Sequence, residues 1–257
     1  MDIFQSIVLG VIEGITEFLP VSSTAHLVLA GHLMNIEHTE FTKSFVITIQ
    51  FGAILSVLVL YWKRFLLDLE SLKRVLAAFL PTALLGFFLY KFVKGFLMDN
   101  QTVIVWSLLL GGLLLIIFEL LHREKDTAHN DISTIPYPVC ISIGLFQALA
   151  MIPGVSRSAA TIIGGLLLNL KRTTIVEFSF LLAVPTMLAA SVLDMAKSAP
   201  SFEAAQFGVL AVGFVVSFVI ALLSIKLLLA YTKKHTFIPF GIYRIAVALL
   251  FMHFFLS

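Results

Sequence analysis

Two acids four residues apart, a run of hydroxyls ending in a histidine, and one arginine set between serines are the features of this 257-residue chain that could do chemistry. They are Glu13 and Glu17; Ser22, Ser23, Thr24 and His26; and Arg157 between Ser156 and Ser158. At i and i+4 the two glutamates share one helix face, roughly 5–6 Å apart at Cβ. Adjacent carboxylates repel, and an acid at the centre of a bilayer costs about 2.5–3.5 kcal/mol on insertion scales. Such a pair is sustained where water, a base or a cation compensates it, and a hard divalent cation taking carboxylate oxygens does so. The plain alternative is the solvated face of a short interfacial helix.

Pro20 ends one helix, and the serines after it suit the N-cap of a second helix starting near Ala25. A capped start also offers free N–H groups and positive dipole to an anion, and a hydroxyl there can act as nucleophile or donor. His26 carries the side chain most used for proton transfer near neutral pH; alone, it also reads as a hydrogen-bonded packing residue. Arg157, in PGVSRSAAT, lies deep in its apolar region and cannot easily reach water. A planar fork of donors beside Ser156, Ser158 and the backbone after Gly154 is what phosphate or carboxylate recognition uses. Its structural alternative is a pairing with Glu13 or Glu17.

Other ionisable groups carry less. Lys226, near a segment end, is expected to snorkel; Arg244, a few residues into the last apolar stretch, is ambiguous; Asp194 and Glu119 read as boundary residues. Gln50 in TIQFGAI and Glu177 in EFSFLLAVP are polar groups that could support a site. Together, two acids, a histidine, hydroxyls and an arginine suit a phosphate ester or diphosphate. A metal would bridge carboxylate and phosphate oxygens, and the arginine would neutralise the transferred group. Dinucleotide, P-loop, zincin and nucleophile-elbow motifs are absent.

The elements that must position these residues are membrane elements. The chain is 60% apolar with only 32 charged residues, from Lys+Arg 17 and Asp+Glu 15, which excludes an ordinary soluble domain. A net charge of +2 without a basic stripe gives no nucleic-acid footprint. The single Cys140 has no partner for a disulfide or thiolate site. The N-terminal stretch, with an acid at position 2 and no basic start, reads as part of the fold rather than a signal peptide.

Six stretches are long enough to span: about 44 to 62, 75 to 98, 103 to 121, 174 to 195, 206 to 230 and 238 to 256. Regions 1 to 36 and 137 to 170 are broken at LPVSSTAH and IPGVSRSAAT, and each reads as a pair of short helices. Such breaks must satisfy their freed backbone groups inside protein or a wet cavity. Aligning Gly10 with Gly144 puts Glu13 over Gln147, Val21 over Val155, Ser22 over Ser156 and Ala25 over Ala159.

If loop 63–74 is cytoplasmic, ten bases fall inside: Lys63, Arg64, Lys73, Arg74, Arg123, Lys125, Lys171, Arg172, Lys233 and Lys234. Four fall opposite: Lys43, Lys91, Lys94 and Lys197. The expected architecture is therefore an all-α polytopic membrane protein, with six transmembrane helices and two re-entrant helical hairpins in an inverted-topology repeat. The first repeat covers 1–121, the linker 122–136 and the second repeat 137–257.

GVIEGITEFLPVSSTAHL, TIQFGAI, PGVSRSAATIIGGL and EFSFLLAVPT together resemble the undecaprenyl-diphosphate phosphatase family of the bacitracin-resistance type, over the whole chain. The family's acidic motif falls on Glu13 and Glu17, its SSTxH motif on Ser22, Ser23, Thr24 and His26, and its PGxSRS motif on Pro153, Gly154, Ser156, Arg157 and Ser158. Ala25 and Ala159 stand where the family often has glycine.

The resemblance implies a multi-pass enzyme of the bacterial cytoplasmic membrane that hydrolyses undecaprenyl diphosphate to undecaprenyl phosphate and inorganic phosphate. Its active site would face outward, and its activity would recycle the cell-wall lipid carrier and confer bacitracin resistance. It also implies Mg²⁺ or Ca²⁺ held by Glu13 and Glu17. Ser22, Thr24, Gly154, Ser156, Arg157 and Ser158 would cradle phosphate, and Glu17, Ser23, His26 and Arg157 would be catalytic, with Gln50 in support. Attack by Ser23, with His26 or a glutamate handling the proton, and attack by a water activated by His26 or Glu17 are both open. Substrate and membrane lipid are the expected partners, and a homodimer is one arrangement the sequence allows. A transporter or flippase of a lipid phosphate or other anion is the alternative, because inverted repeats with broken helices are also transporter architecture.

Overall fold

A computed structural model describes residues 1–37, 39–92, 100–125, 127–197 and 206–255. Lys94 and the ends of the stretches expected at 75–98 and 238–256 lie outside the described residues, as do the side chains of Lys91, Asp194 and Lys197.

Among the described residues the chain forms eleven α-helices and no strand. Helices α1 (Ile3–Thr16) and α2 (Ser23–Leu33) form the first broken region. They are followed by α3 (Glu40–Leu60), α4 (Trp62–Leu67), α5 (Leu69–Phe92) and α6 (Gln101–Leu121). The second broken region is α7 (Tyr137–Ala148) and α8 (Arg157–Leu167). Helices α9 (Arg172–Lys197), α10 (Gln206–Thr232) and α11 (Ile238–Phe255) complete the chain.

Local chemistry sets many of these ends. Asp2 accepts from the Gln5 N–H while the Gln5 side chain returns the bond to the Asp2 N–H, a capping box that starts α1. Thr39 caps α3 and Asn100 caps α6. Ser156 caps α8 by accepting from the Ala159 N–H.

Five helices are long and apolar enough to cross a membrane: Glu40–Leu60, Leu69–Leu89, Gln101–Leu121, Arg172–Val192 and Gln206–Thr232. The last helix, apolar over Ile238–His253, is shorter than these. The chain is a multi-pass membrane protein. Large apolar side chains such as Phe87, Phe88 and Leu121 face outward, as a lipid-facing surface requires.

The structure corrects the reading of 63–74 as a loop. Lys63 and Arg64 lie in α4, and Lys73 and Arg74 in the first turns of α5. Asp68 makes the transition, accepting from both the N–H and the hydroxyl of Ser71.

In lipid, apolar surface alone does not drive helices together, so close packing and interhelical hydrogen bonds must. Helix α1 lies along α10, where Ser6 Oγ donates to Val209 O at 2.8 Å. Helix α7 lies along α5, where Thr82 Oγ1 donates to Gly144 O at 2.8 Å and accepts from Gln147 Nε2 at 2.9 Å. Each broken region thus packs its first helix against a long helix from the other half of the sequence. Ser217 on α10 donates to Ile49 O on α3, and α6 packs on α11. The main core gathers Phe18, Phe178, Phe180, Ile54 and Leu115 around the hairpins.

Candidate active site

The two chain breaks meet at Glu17. Helix α1 stops at Thr16, and the C-cap residue Glu17 keeps its N–H on Glu13 O. Its carboxylate is shared between the hairpins. Ser23 Oγ, on the first turn of α2, donates to Glu17 Oε2 at 2.6 Å. Arg157 Nη2, on the first turn of α8, donates to Glu17 Oε1 at 3.0 Å. Of the two expected partners for Arg157, the structure selects Glu17.

Arg157 is fixed from several sides. Its Nη1 donates to Ser179 O at 2.9 Å, and its guanidinium lies 5.9 Å from the centre of the Phe18 ring. Phe18 stands edge-on to Phe180. Ser158 Oγ donates to Phe18 O at 2.8 Å, so this hydroxyl ties the hairpins together rather than pointing at a ligand. Thr161 and Ser179 share a hydroxyl contact at 2.6 Å behind the arginine.

Two groups of this cluster stay unsatisfied. Glu13 is fully buried and neither carboxylate oxygen meets a donor among the described residues; Arg157 Nε is likewise buried and meets no acceptor among them. Gln147 Oε1, at the position that aligns with Glu13, is the remaining such atom among the described residues. Buried polar groups without partners are costly. Orphaned acceptors on one side and an orphaned cationic donor on the other are complementary to a ligand carrying both a cation and an anionic oxygen. No three His, Cys, Asp or Glu gather among the described residues. Glu13 and Glu17 are the two carboxylates of this cluster, and they are the residues that could hold a cation of the kind that takes one or two carboxylates and completes its shell with water and substrate phosphate.

His26 is held at both nitrogens. Nδ1 lies 2.7 Å from Ser22 O, a pure acceptor, which makes Nδ1 the protonated nitrogen and leaves Nε2 to accept from Tyr243 Oη at 2.8 Å. The rings stack with planes 4° apart.

The two serines that align across the halves behave differently. Ser156 has ordinary extended backbone and spends its hydroxyl on capping α8. Ser22 stands at the N-cap of α2 with φ 74° and its side chain makes no capping bond, contrary to the expectation of a side-chain cap there. Gly154 has φ 88°, favourable only for glycine, and a Cβ there would stand 2.6 Å from Ile104 O. Thr24 is exposed on the first turn of α2, and Gln50 lies part-buried on α3 without a bond to Glu17, Ser23 or Arg157. Ala25 and Ala159 are buried.

Glu177 does not join this cluster. It pairs with Arg64 at 3.3 Å, in a separate network with Asp68. Glu119 is not a simple boundary residue either: it is buried and holds Arg172 through both carboxylate oxygens. Lys226 is exposed, as expected of a snorkelling side chain.

Tyr243 and Arg244 were not legible as site residues. Arg244 is buried on α11 and donates to Gly154 O and Pro20 O, the two breaks. The available signal was a charge inside an apolar helix, which by itself leaves its partners undefined.

A family model described as bacitracin resistance protein BacA matches residues 6–250. The chain is 50% identical over 256 residues to an undecaprenyl-diphosphatase of Aquifex aeolicus (strain VF5), covering 100% of both chains. It is 50% identical over 251 residues to the protein of that name from Sulfurihydrogenibium sp. (strain YO3AOP1), covering 98% of each. To the one from Methanococcus aeolicus it is 42% identical over 255 residues, covering 99% of each.

Proposed function

The chain belongs to the bacitracin resistance protein BacA family, and from that premise we propose that it is an undecaprenyl-diphosphatase. It releases inorganic phosphate from undecaprenyl diphosphate and so returns the lipid carrier to cell-wall synthesis. The observation that carries the reading is the shared carboxylate of Glu17, with Ser23 Oγ at 2.6 Å on one oxygen and Arg157 Nη2 at 3.0 Å on the other.

In this reading the Ser23 hydroxyl gives its proton to Glu17 Oε2 as its oxygen bonds to the terminal phosphorus. The phosphoanhydride bond breaks, undecaprenyl phosphate leaves, and water then hydrolyses the phosphoserine to phosphate. Arg157 turns from Glu17 toward the phosphate oxygens, its unpaired Nε supplying a further donor. The Ser22 region and the backbone at Gly154 line the same cradle. His26, with Nε2 as its basic nitrogen, handles the second proton transfer. Glu13 and Glu17 are the residues that would hold a divalent cation, which would supply charge neutralisation to the diphosphate. The orphaned Glu13 oxygens support its inclusion.

The protein sits in the bacterial cytoplasmic membrane with the site open to the outer face, supported by the bias of bases toward the other side. We take 1–121 and 137–257 as inverted repeats joined by 122–136, with six crossings and two re-entrant hairpins. The exchange of partners, α1 on α10 and α7 on α5, supports that arrangement.

The test is phosphate release from undecaprenyl diphosphate by detergent-purified protein, with and without Mg²⁺ or Ca²⁺, for wild type, Glu17→Ala and Arg157→Ala. Cation-dependent release abolished by both changes is expected. A folded wild type that releases nothing would move the assignment to a lipid-phosphate transporter.

A further inference from the structure

Arg244 has only 1% of its surface exposed, and its hydrogen-bond partners among the described residues are backbone carbonyls. Nη2 donates to Ser107 O at 2.9 Å and Gly154 O at 3.1 Å; Nε donates to Leu108 O and Nη1 to Pro20 O, both at 3.4 Å. In the register that sets Gly10 over Gly144, Pro20 falls over Gly154. One guanidinium therefore holds corresponding points of both chain breaks. Each point sits by a left-handed residue, Gly154 itself and Ser22 two positions after Pro20.

A buried cation without a counter-charge is expensive, and its retention needs a return. Four of its five N–H donors are already committed to carbonyls, which leaves little for a ligand. Its niche is cut in α6: a Cβ on Gly111 would collide with Nη2 and stand 2.9 Å from Cζ. Lysine cannot substitute, since one ammonium cannot reach carbonyls spread over three segments with a planar fork's geometry.

We propose that Arg244 is a positioning residue for this reaction: it pins the two breaks to each other and so fixes Ser23 and Arg157 on either side of Glu17. The inference rests on the phosphatase reading.

The experiment measures kcat, KM and thermal midpoint for the full chain in detergent, with undecaprenyl diphosphate. It compares wild type, Arg244→Lys, Gly111→Ala, Gly31→Ala, Arg157→Lys and the double variant of Arg244→Lys with Arg157→Lys. Gly111→Ala keeps the guanidinium but displaces it, so it decides alone if Arg244→Lys does not fold. Nothing lies near a Cβ on Gly31, which makes it the control.

Misplacing the reacting groups by about 1 Å predicts a kcat loss on the order of 100-fold in folded Arg244→Lys and Gly111→Ala, assayed well below the thermal midpoint of each variant. On the Arg157→Lys background, Arg244→Lys should add less than about threefold, because both changes disturb one unit. Near-wild-type kcat in folded Arg244→Lys and Gly111→Ala, or losses that multiply in the double variant, would overturn the inference. An inactive wild type would instead remove the phosphatase reading.

Discussion

The Tyr243 hydroxyl donates to Nε2 of His26 at 2.8 Å, which ties the basic nitrogen of the histidine to α11. Ser23 meets a carboxylate instead. The two proton acceptors of the site are thus assigned to different places, Glu17 beside the attacking hydroxyl and His26 beside Tyr243. Tyr243→Phe is expected to lower kcat by less than about tenfold, whereas His26→Ala should cost on the order of 100-fold or more, the usual worth of a general acid–base group. Steady-state phosphate release by the two variants checks this.

Attack by Ser23 predicts two in-line displacements at phosphorus and therefore net retention with a chiral terminal phosphate. Inversion in that assay would assign the attack to water. Ser23→Ala should fall by about 1,000-fold or more, and Ser23→Ala retaining a tenth of wild-type turnover would give the same answer as inversion.

The buried ion pair makes stability asymmetric. Arg157→Met leaves Glu17 buried without its cation, and loss of one partner of a buried pair costs about 3–5 kcal/mol. Adding Glu17→Gln should recover part of that loss although both variants are inactive. Denaturation midpoints in matched detergent measure it.

Chelation should abolish turnover, and Mg²⁺ or Ca²⁺ should restore it. The same cations should raise the thermal midpoint of wild type more than that of Glu13→Gln, because the buried Glu13 oxygens meet no donor among the described residues. Equal shifts in both proteins would remove Glu13 from the cation site.

Acid should weaken the face that carries Asp131. Hydrogen bonds from the hydroxyl and N–H of Ser133 hold its carboxyl below the ordinary aspartate range. A group lowered in the folded state contributes stability above the unfolded value of about 3.9 and loses it as pH falls through the folded value. Asp131→Asn should therefore flatten the decline of thermal midpoint below about pH 4.

Much of the site was legible because its residues fall in short runs with recognisable chemistry. The acids at 13 and 17, the hydroxyls at 22–24 and Arg157 each stand out against apolar neighbours, and prolines at 20 and 153 mark the breaks. The pairing of Arg157 with Glu17 rather than Glu13 depends on how two hairpins meet, which no local pattern encodes. Arg244 was obscure for the same reason, since its partners are carbonyls and every residue has one. Glu119 reads as a boundary residue and Glu177 as a possible support for the site, yet each pairs with an arginine of its own, Arg172 and Arg64. The basic stretch 63–74 looked like a loop because charge density outweighed its helical spacing; in the structure those charges decorate α4 and the start of α5.

The contrast between Ser22 and Ser156 bears on what each half would contribute. Two turns of related sequence have taken up a division of labour: one serine closes its helix, while the other, on left-handed backbone, keeps its hydroxyl out of the cap. In the proposed reaction the first turn would supply the attacking hydroxyl of Ser23 and the second the guanidinium of Arg157, so the halves would contribute unlike parts rather than two half-strength copies.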